Sequence, residues 1–129
     1  MRDALIYAQD SVQNKSPTFI VAIQAEGRWV ETDLGLGTYS QETVKVTRNI
    51  LMVVDLLKQL TDSFSIDPTR MMVSGVSMGG FVTWDIITRY LSMFAAAAPI
   101  SSCADTTKTC LIKDIRIWTF IAIMMALSH

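Results

Sequence analysis

The chain has 129 residues, enough for one domain over residues 1–129 and too few for a second. Half of the residues are hydrophobic and the mean hydropathy is +0.35, which implies strands buried on both faces or an apolar surface that something else covers. A net charge of −1 supplies no field to draw in nucleic acid or an anionic membrane, and no apolar run reaches the ~18–20 residues of a membrane-crossing helix, so neither partner class is expected.

The opening segment, with Asp3 and Asp10, does not have the pattern of a signal peptide, so the chain as written reads as cytoplasmic. Residues 3–13 carry Leu5, Ile6, Ala8 and Val12 toward one side and predict a helix that Asn14 to Pro17 end. Thr18 to Ile23 is a continuous β-branched and aromatic run, the pattern of a buried parallel strand. Gln24 to Ser40 holds Trp29, Asp33 and Tyr39 among glycines and predicts a long loop. Those three side chains are candidates for lining a cleft, with Trp29 also a candidate for the core. From Gln41 to Phe64 the spacing of Val44, Ile50, Leu51, Val54, Leu57 and Leu60 predicts the longest helix, capped by Ser40. Asp67-Pro68 makes a turn, and Met71 to Val73 a buried strand. Phe81 to Leu91 is then a helix, Ala95 to Ile100 a strand, Ser101 to Thr109 a polar loop and Ile115 to Ile121 a last strand. Strand–helix alternation throughout gives an α/β class with a parallel sheet.

Chemistry concentrates in Gly75-Val76-Ser77-Met78-Gly79, a G-x-S-x-G sequence set between a strand and a helix. So sharp a turn strains the backbone of Ser77 and leaves no room for side chains at 75 or 79, hence the glycines; Gly80 extends the same small-residue stretch. The serine hydroxyl then stands at the carboxyl end of the strand. The positive end of the next helix, and the Met78 N–H, point at whatever it attacks. No Cys/His cluster has metal-ligand spacing and no glycine-rich phosphate loop follows a strand, so no metal or other cofactor is expected. Cys103 and Cys110 are expected as free thiols. The many methionines read as gap-filling, and Asp85 as a solvated charge on the helix surface.

The run from Ile66 to Asp85, followed by Arg89-Tyr90-Leu91 and Phe94 to Ile100, resembles the α/β-hydrolase esterases, in particular carboxylesterases related to polyhydroxybutyrate depolymerases and feruloyl or acetyl-xylan esterases. Phe19 to Gln24, Trp29, Asp33 and Ile112 to Phe120 extend the likeness over nearly the whole chain. The resemblance implies a partial α/β-hydrolase fold of about four mostly parallel strands flanked by helices, lacking the family's N-terminal strands and C-terminal part. It also implies a small-molecule ester substrate, Ser77 as nucleophile and the Met78 N–H as half of an oxyanion hole. A serine needs a histidine base and a carboxylate to orient it.

Where the chain departs from that family, three expectations follow. The His-Gly-rich loop that gives the second oxyanion N–H precedes the matched region, as does a strand that sits between the counterpart of 18–23 and the elbow strand. Open strand edges then invite partners, and a homo-oligomer through an exposed sheet edge or apolar surface is expected. After Phe120 the family pattern is lost. Restoring one nucleotide there turns the Met124–Met125 junction into Asp followed by Gly, so residues 121–129 are expected to be an out-of-frame tail with Met125 where the triad acid belongs. His129, the only histidine, is either a frayed end or a makeshift base for Ser77 with Asp105 or Asp114 as orienter. The function expected is weak ester hydrolysis. The alternatives are an inactive hydrolase-fold module held together as an oligomer, and a peptidase of the same fold.

Overall fold

The computed structural model describes residues 4–31 and 39–121. Its centre is a three-stranded parallel sheet in the order β1 (Met72–Val76), β2 (Ala96–Ile100), β3 (Arg116–Ile117). Met72 is in register with Ala96 and Ala96 with Arg116, and a lone bridge from Ile100 to Phe120 carries the third strand's pairing onward. Pro99, in the central strand, lacks a backbone N–H. Successive residues of a parallel strand face opposite neighbours, and Ala97 accepts from Trp118, so the missing donor at 99 faces β3. That is the side on which regular pairing is only two residues long.

The helices are α1 (Ala4–Tyr7), α2 (Asp10–Gln13), α3 (Arg48–Ser63) and α4 (Met78–Arg89), with 3-10 turns at Pro68–Arg70 and Thr106–Ile112. The core joins Ile50 and Val54 of α3 to Ile86 and Ile87 of α4, Ala97 of β2, and Val30, Tyr39, Phe94 and Ile112 from the connections. It lies on one side of the sheet, where Val73, Ala97 and Ile117 point. On the other side Met72, Val76, Trp118 and Phe120 are exposed, Trp118 at 76%.

Several elements differ from their sequence reading. The helix expected from Gln41 starts at Arg48. Ser40 caps only a single turn, accepting from Val44 N–H at 2.8 Å, and the chain then straightens through Lys45, Val46 and Thr47 before Thr47 caps α3. The β-branched run Val44, Val46, Thr47 disfavours a helix, and the Thr47 hydroxyl takes the N-cap instead. Leu51, placed in the apolar stripe, is exposed. The first helix is two short ones, α1 and α2, neither burying a residue. Part of the polar loop after β2 is 3-10 helix. Thr18 to Ile23 is not a strand of the sheet and belongs to no ladder among the described residues; Phe19 is 59% exposed. Its composition suits a strand, but a strand exists only where its N–H and C=O groups meet a second edge, and among the described residues this segment lies along none.

Candidate active site

β1 delivers the chain to Ser77 and α4 takes it away. Between them Ser77 adopts φ +55 and ψ −115, a left-handed conformation rare for a residue with a side chain. The turn is pinned from three directions. The Ser77 N–H donates to Ile100 O at 2.9 Å, tying the bend to the neighbouring strand, while the N–H groups of Gly80 and Phe81 donate to Ser77 O at 2.9 and 3.1 Å. Ser77 is exposed, and its hydroxyl has no hydrogen-bond partner among the described residues. The Met78 N–H, the first of α4, likewise has none and points from the positive end of a 12-residue helix. The resulting site offers an unengaged hydroxyl beside an unengaged amide donor, the pair that acyl transfer requires.

The glycines divide differently from their sequence reading. A Cβ at Gly75 would strike the backbone of Gly79, with the Gly79 Cα at 2.8 Å, so residue 75 must be glycine for the elbow to close. A Cβ at Gly79 would meet nothing within 4 Å; Gly79 is the wall of that contact and needs no space of its own. Gly80 is the second crowded position, since a Cβ there would meet Ile100 O at 2.7 Å and the Ser102 hydroxyl.

Two residues at this end of the sheet escaped the sequence reading. Ser101 follows β2 as Ser77 follows β1, and it too is left-handed, at φ +52, with its N–H donated to Phe120 O at 2.7 Å. Ser102 packs its hydroxyl against Gly80 and leaves it buried without a partner among the described residues. No local signal marks either, because a Ser-Ser pair after a strand is ordinary in composition.

The carboxylates are organised otherwise than expected. Asp85 is not a solvated charge but is 1% exposed, paired with Arg89 through Nε at 2.8 Å and joined by the side-chain amide of Gln41 at 3.3 Å. Burial raises its pKa, and the Arg89 guanidinium opposes that rise only in part. Glutamine 41 is the hinge of a buried polar network that the sequence did not reveal, since its backbone N–H also donates to Asp105 Oδ2 at 2.8 Å. Asp105 is fully engaged: Oδ1 accepts from the Thr107 N–H at 2.9 Å and from its hydroxyl at 2.6 Å. Burial alone would raise the Asp105 pKa, yet the bonds from Thr107 and Gln41 outweigh it and hold the carboxyl below its ordinary value. A carboxylate so occupied caps a 3-10 helix, with three of its about four acceptor sites taken and the side chain buried, whereas Asp114 is exposed.

Tyr39 lies in the core, edge-on to Phe81 at 6.3 Å between ring centroids, and Trp29 is half-buried against the same core, so neither is an open cleft wall. Both cysteines are free thiols, and burial pushes the Cys103 thiol up, away from nucleophilic character. No group of His, Cys, Asp and Glu among the described residues could hold a metal, and no helix among them is long and apolar enough to cross a membrane. Asp33, His129 and the tail residues Met124 and Met125 lie outside the described residues.

A parallel sheet, a strand–serine–helix elbow and a helix covering one face define the α/β-hydrolase class. The chain belongs to the prolyl oligopeptidase family, whose profile matches residues 41–126. It is also similar to the crystal structure of a thermostable esterase, at 35% sequence identity and a TM-score of 0.80, over 92% of this chain and 31% of that one. The chain therefore spans about a third of the length of that esterase. No curated protein sequence gives a significant match. Together these place the chain among the serine hydrolases of α/β fold.

Proposed function

We propose that this chain hydrolyses carboxylic esters through an acyl intermediate on Ser77. The observation that carries the reading is the left-handed Ser77, its hydroxyl unengaged and the Met78 N–H free beside it. In the reaction the Ser77 Oγ attacks the ester carbonyl carbon while its proton passes to a base. The carbonyl electron pair moves onto oxygen, where the Met78 N–H stabilises it. Collapse breaks the bond to the alkoxy oxygen, which leaves as the alcohol with that proton. Water then repeats the sequence on the acyl–Ser77 carbonyl, releasing the carboxylic acid and the free serine.

Likeness to an esterase supports an ester substrate, and the family's name supports a peptide one. The esterase likeness is the more extensive, covering 92% of the chain, and it tips the choice toward the ester. Turnover is expected to be slow, because the Met78 N–H is the one oxyanion donor assigned here. His129 is the candidate base carried from the sequence, with a frayed chain end as the alternative.

A fluorophosphonate probe is expected to label the wild-type chain and not Ser77→Ala, with p-nitrophenyl acetate hydrolysis falling to background in the variant. Absence of labelling in the wild type sinks the reading and leaves an inert hydrolase-fold module. Faster cleavage of a peptide arylamide than of the ester assigns the peptidase instead. Unchanged ester turnover in His129→Ala removes His129 from the mechanism.

A further inference from the structure

Three residues other than glycine are left-handed among the described residues: Ser77, Ser92 and Ser101. Ser92 sits in the turn that ends α4, where that conformation is a common device. Ser101 follows the end of a strand, where the chain is free to continue extended, and it still takes φ +52. Residues held in such conformations persist only where their surroundings fix them, and they gather at sites that do chemistry. The surroundings fix Ser101 from two sides. Its N–H donates to Phe120 O at 2.7 Å, and the next residue, Ser102, sets its hydroxyl in the space that a side chain at Gly80 would fill. The Gly80 N–H in turn donates to Ser77 O at 2.9 Å, so the bend at 101 is packed against the bend at 77.

Register sets the two serines side by side. Val76 is in register with Ile100, and the Ser77 N–H continues that ladder by donating to Ile100 O at 2.9 Å, so the next pair along is Ser77 and Ser101. Neighbouring strands run about 4.8 Å apart, which brings both residues within the span of one small functional group. Ser101 is exposed, and its hydroxyl has no hydrogen-bond partner among the described residues. Because Phe120 consumes its backbone N–H, the hydroxyl is the donor that residue 101 offers to a bound molecule.

A tetrahedral centre formed from an ester on Ser77 carries three oxygens. One is the serine Oγ, one is the oxyanion met by the Met78 N–H, and the third is the alkoxy oxygen. That third oxygen takes the proton from the base on one lone pair and has another still to be met. We propose that the Ser101 hydroxyl donates a hydrogen bond to the alkoxy oxygen of the ester as its bond to the acyl carbon breaks. The electron pair of that bond passes to the oxygen, and the proton that makes it an alcohol comes from the base. Ser101 keeps its own proton and stabilises the charge growing on the leaving oxygen. The assignment rests on the ester-hydrolase reading of Ser77, and it gives the site a preference. Esters of simple alcohols, whose alkoxides leave poorly, gain most from such a donor, whereas an aryl ester already spreads the charge into its ring.

The test is kcat/KM for ethyl acetate and p-nitrophenyl acetate in the wild type, Ser101→Ala and Ser101→Gly, each checked for fluorophosphonate labelling of Ser77. Both variants lack the hydroxyl, and glycine also relieves the left-handed backbone. Labelling is expected in all three proteins. Both variants are expected to lose about tenfold on the ethyl ester, the worth of one hydrogen bond, and only about twofold on the p-nitrophenyl ester. Equal losses on the two esters, no loss on the ethyl ester, or a glycine variant that keeps the wild-type ratio overturns the proposal while leaving Ser77 as the nucleophile. So does a labelled wild type that leaves ethyl acetate uncleaved. A wild type that is not labelled removes the Ser77 reading, and this proposal with it. Should Ser101→Ala fail to fold, Ser101→Gly decides, since glycine takes the bend without strain.

Discussion

Two stretches of this chain, Thr18–Ile23 and Met71–Trp84, carry the same surface signal of apolar, strand-forming residues, and only the second is built into the sheet. The elbow succeeds because its instructions are local. Gly75 must meet the Gly79 backbone four residues on, Ser77 bends, and the N–H groups of Gly80 and Phe81 close on the Ser77 carbonyl. Residues within a few positions supply most of the constraint, and Ile100 O adds the rest. The segment 18–23 has comparable propensity but no local closure; its fate depends on an edge elsewhere. A turn can thus be specified by its own sequence, whereas a strand is a contract between two sequences.

The largest test of the elbow's share in the core is Ile87→Ala. Ile87 is fully buried behind the turn, and its truncation is expected to lower unfolding stability by about 2–5 kcal/mol in urea titration. Gly75→Ala comes next. The added methyl collides with backbone rather than with a movable side chain, so a loss of about 1–3 kcal/mol together with disappearance of probe labelling at Ser77 is expected. Gly79→Ala tests the same point in reverse. Nothing within 4 Å obstructs its methyl and the residue is in a helix, so stability is expected to rise by about 0.5–1 kcal/mol. If alanine at 79 proved as damaging as alanine at 75, crowding against the Gly79 backbone would not be what shapes the elbow.

On the other side of the comparison, Phe19→Ala should change stability by no more than about 0.5 kcal/mol, since the ring is largely exposed.

Acid titration separates the two buried carboxylates. The folded-state pKa of Asp105 lies below its ordinary 3.8, so it contributes stability above that value, lost as the pH falls through the lowered one. Asp105→Asn is expected to lessen the loss of stability below about pH 4, read by denaturant midpoints across the acid range. The sign is opposite at Asp85. Its raised value means that the contribution of its protonated form is present below 3.8 and declines as the pH rises through the folded pKa. Asp85→Asn should therefore flatten a decline just above that value rather than a loss below it.

The order of residues was enough to establish the α/β class, the Ser77 turn and the necessity of glycine at 75. Periodicity, turn chemistry and steric crowding within a few residues suffice for those. It also placed α3 and α4 in outline, missing the start of α3 because the helical spacing of Val44 and Leu51 hid the β-branched break between them. Folding in three dimensions was needed to bury Asp85 against Arg89, to consume Asp105 with Thr107 and Gln41, and to give Ser101 the strain of Ser77. It also left Thr18–Ile23 without a ladder. These outcomes turn on burial, on groups brought in from distant segments or on the edge of a sheet. No pattern read along the chain records which group will arrive there to meet a buried charge or an unpaired N–H.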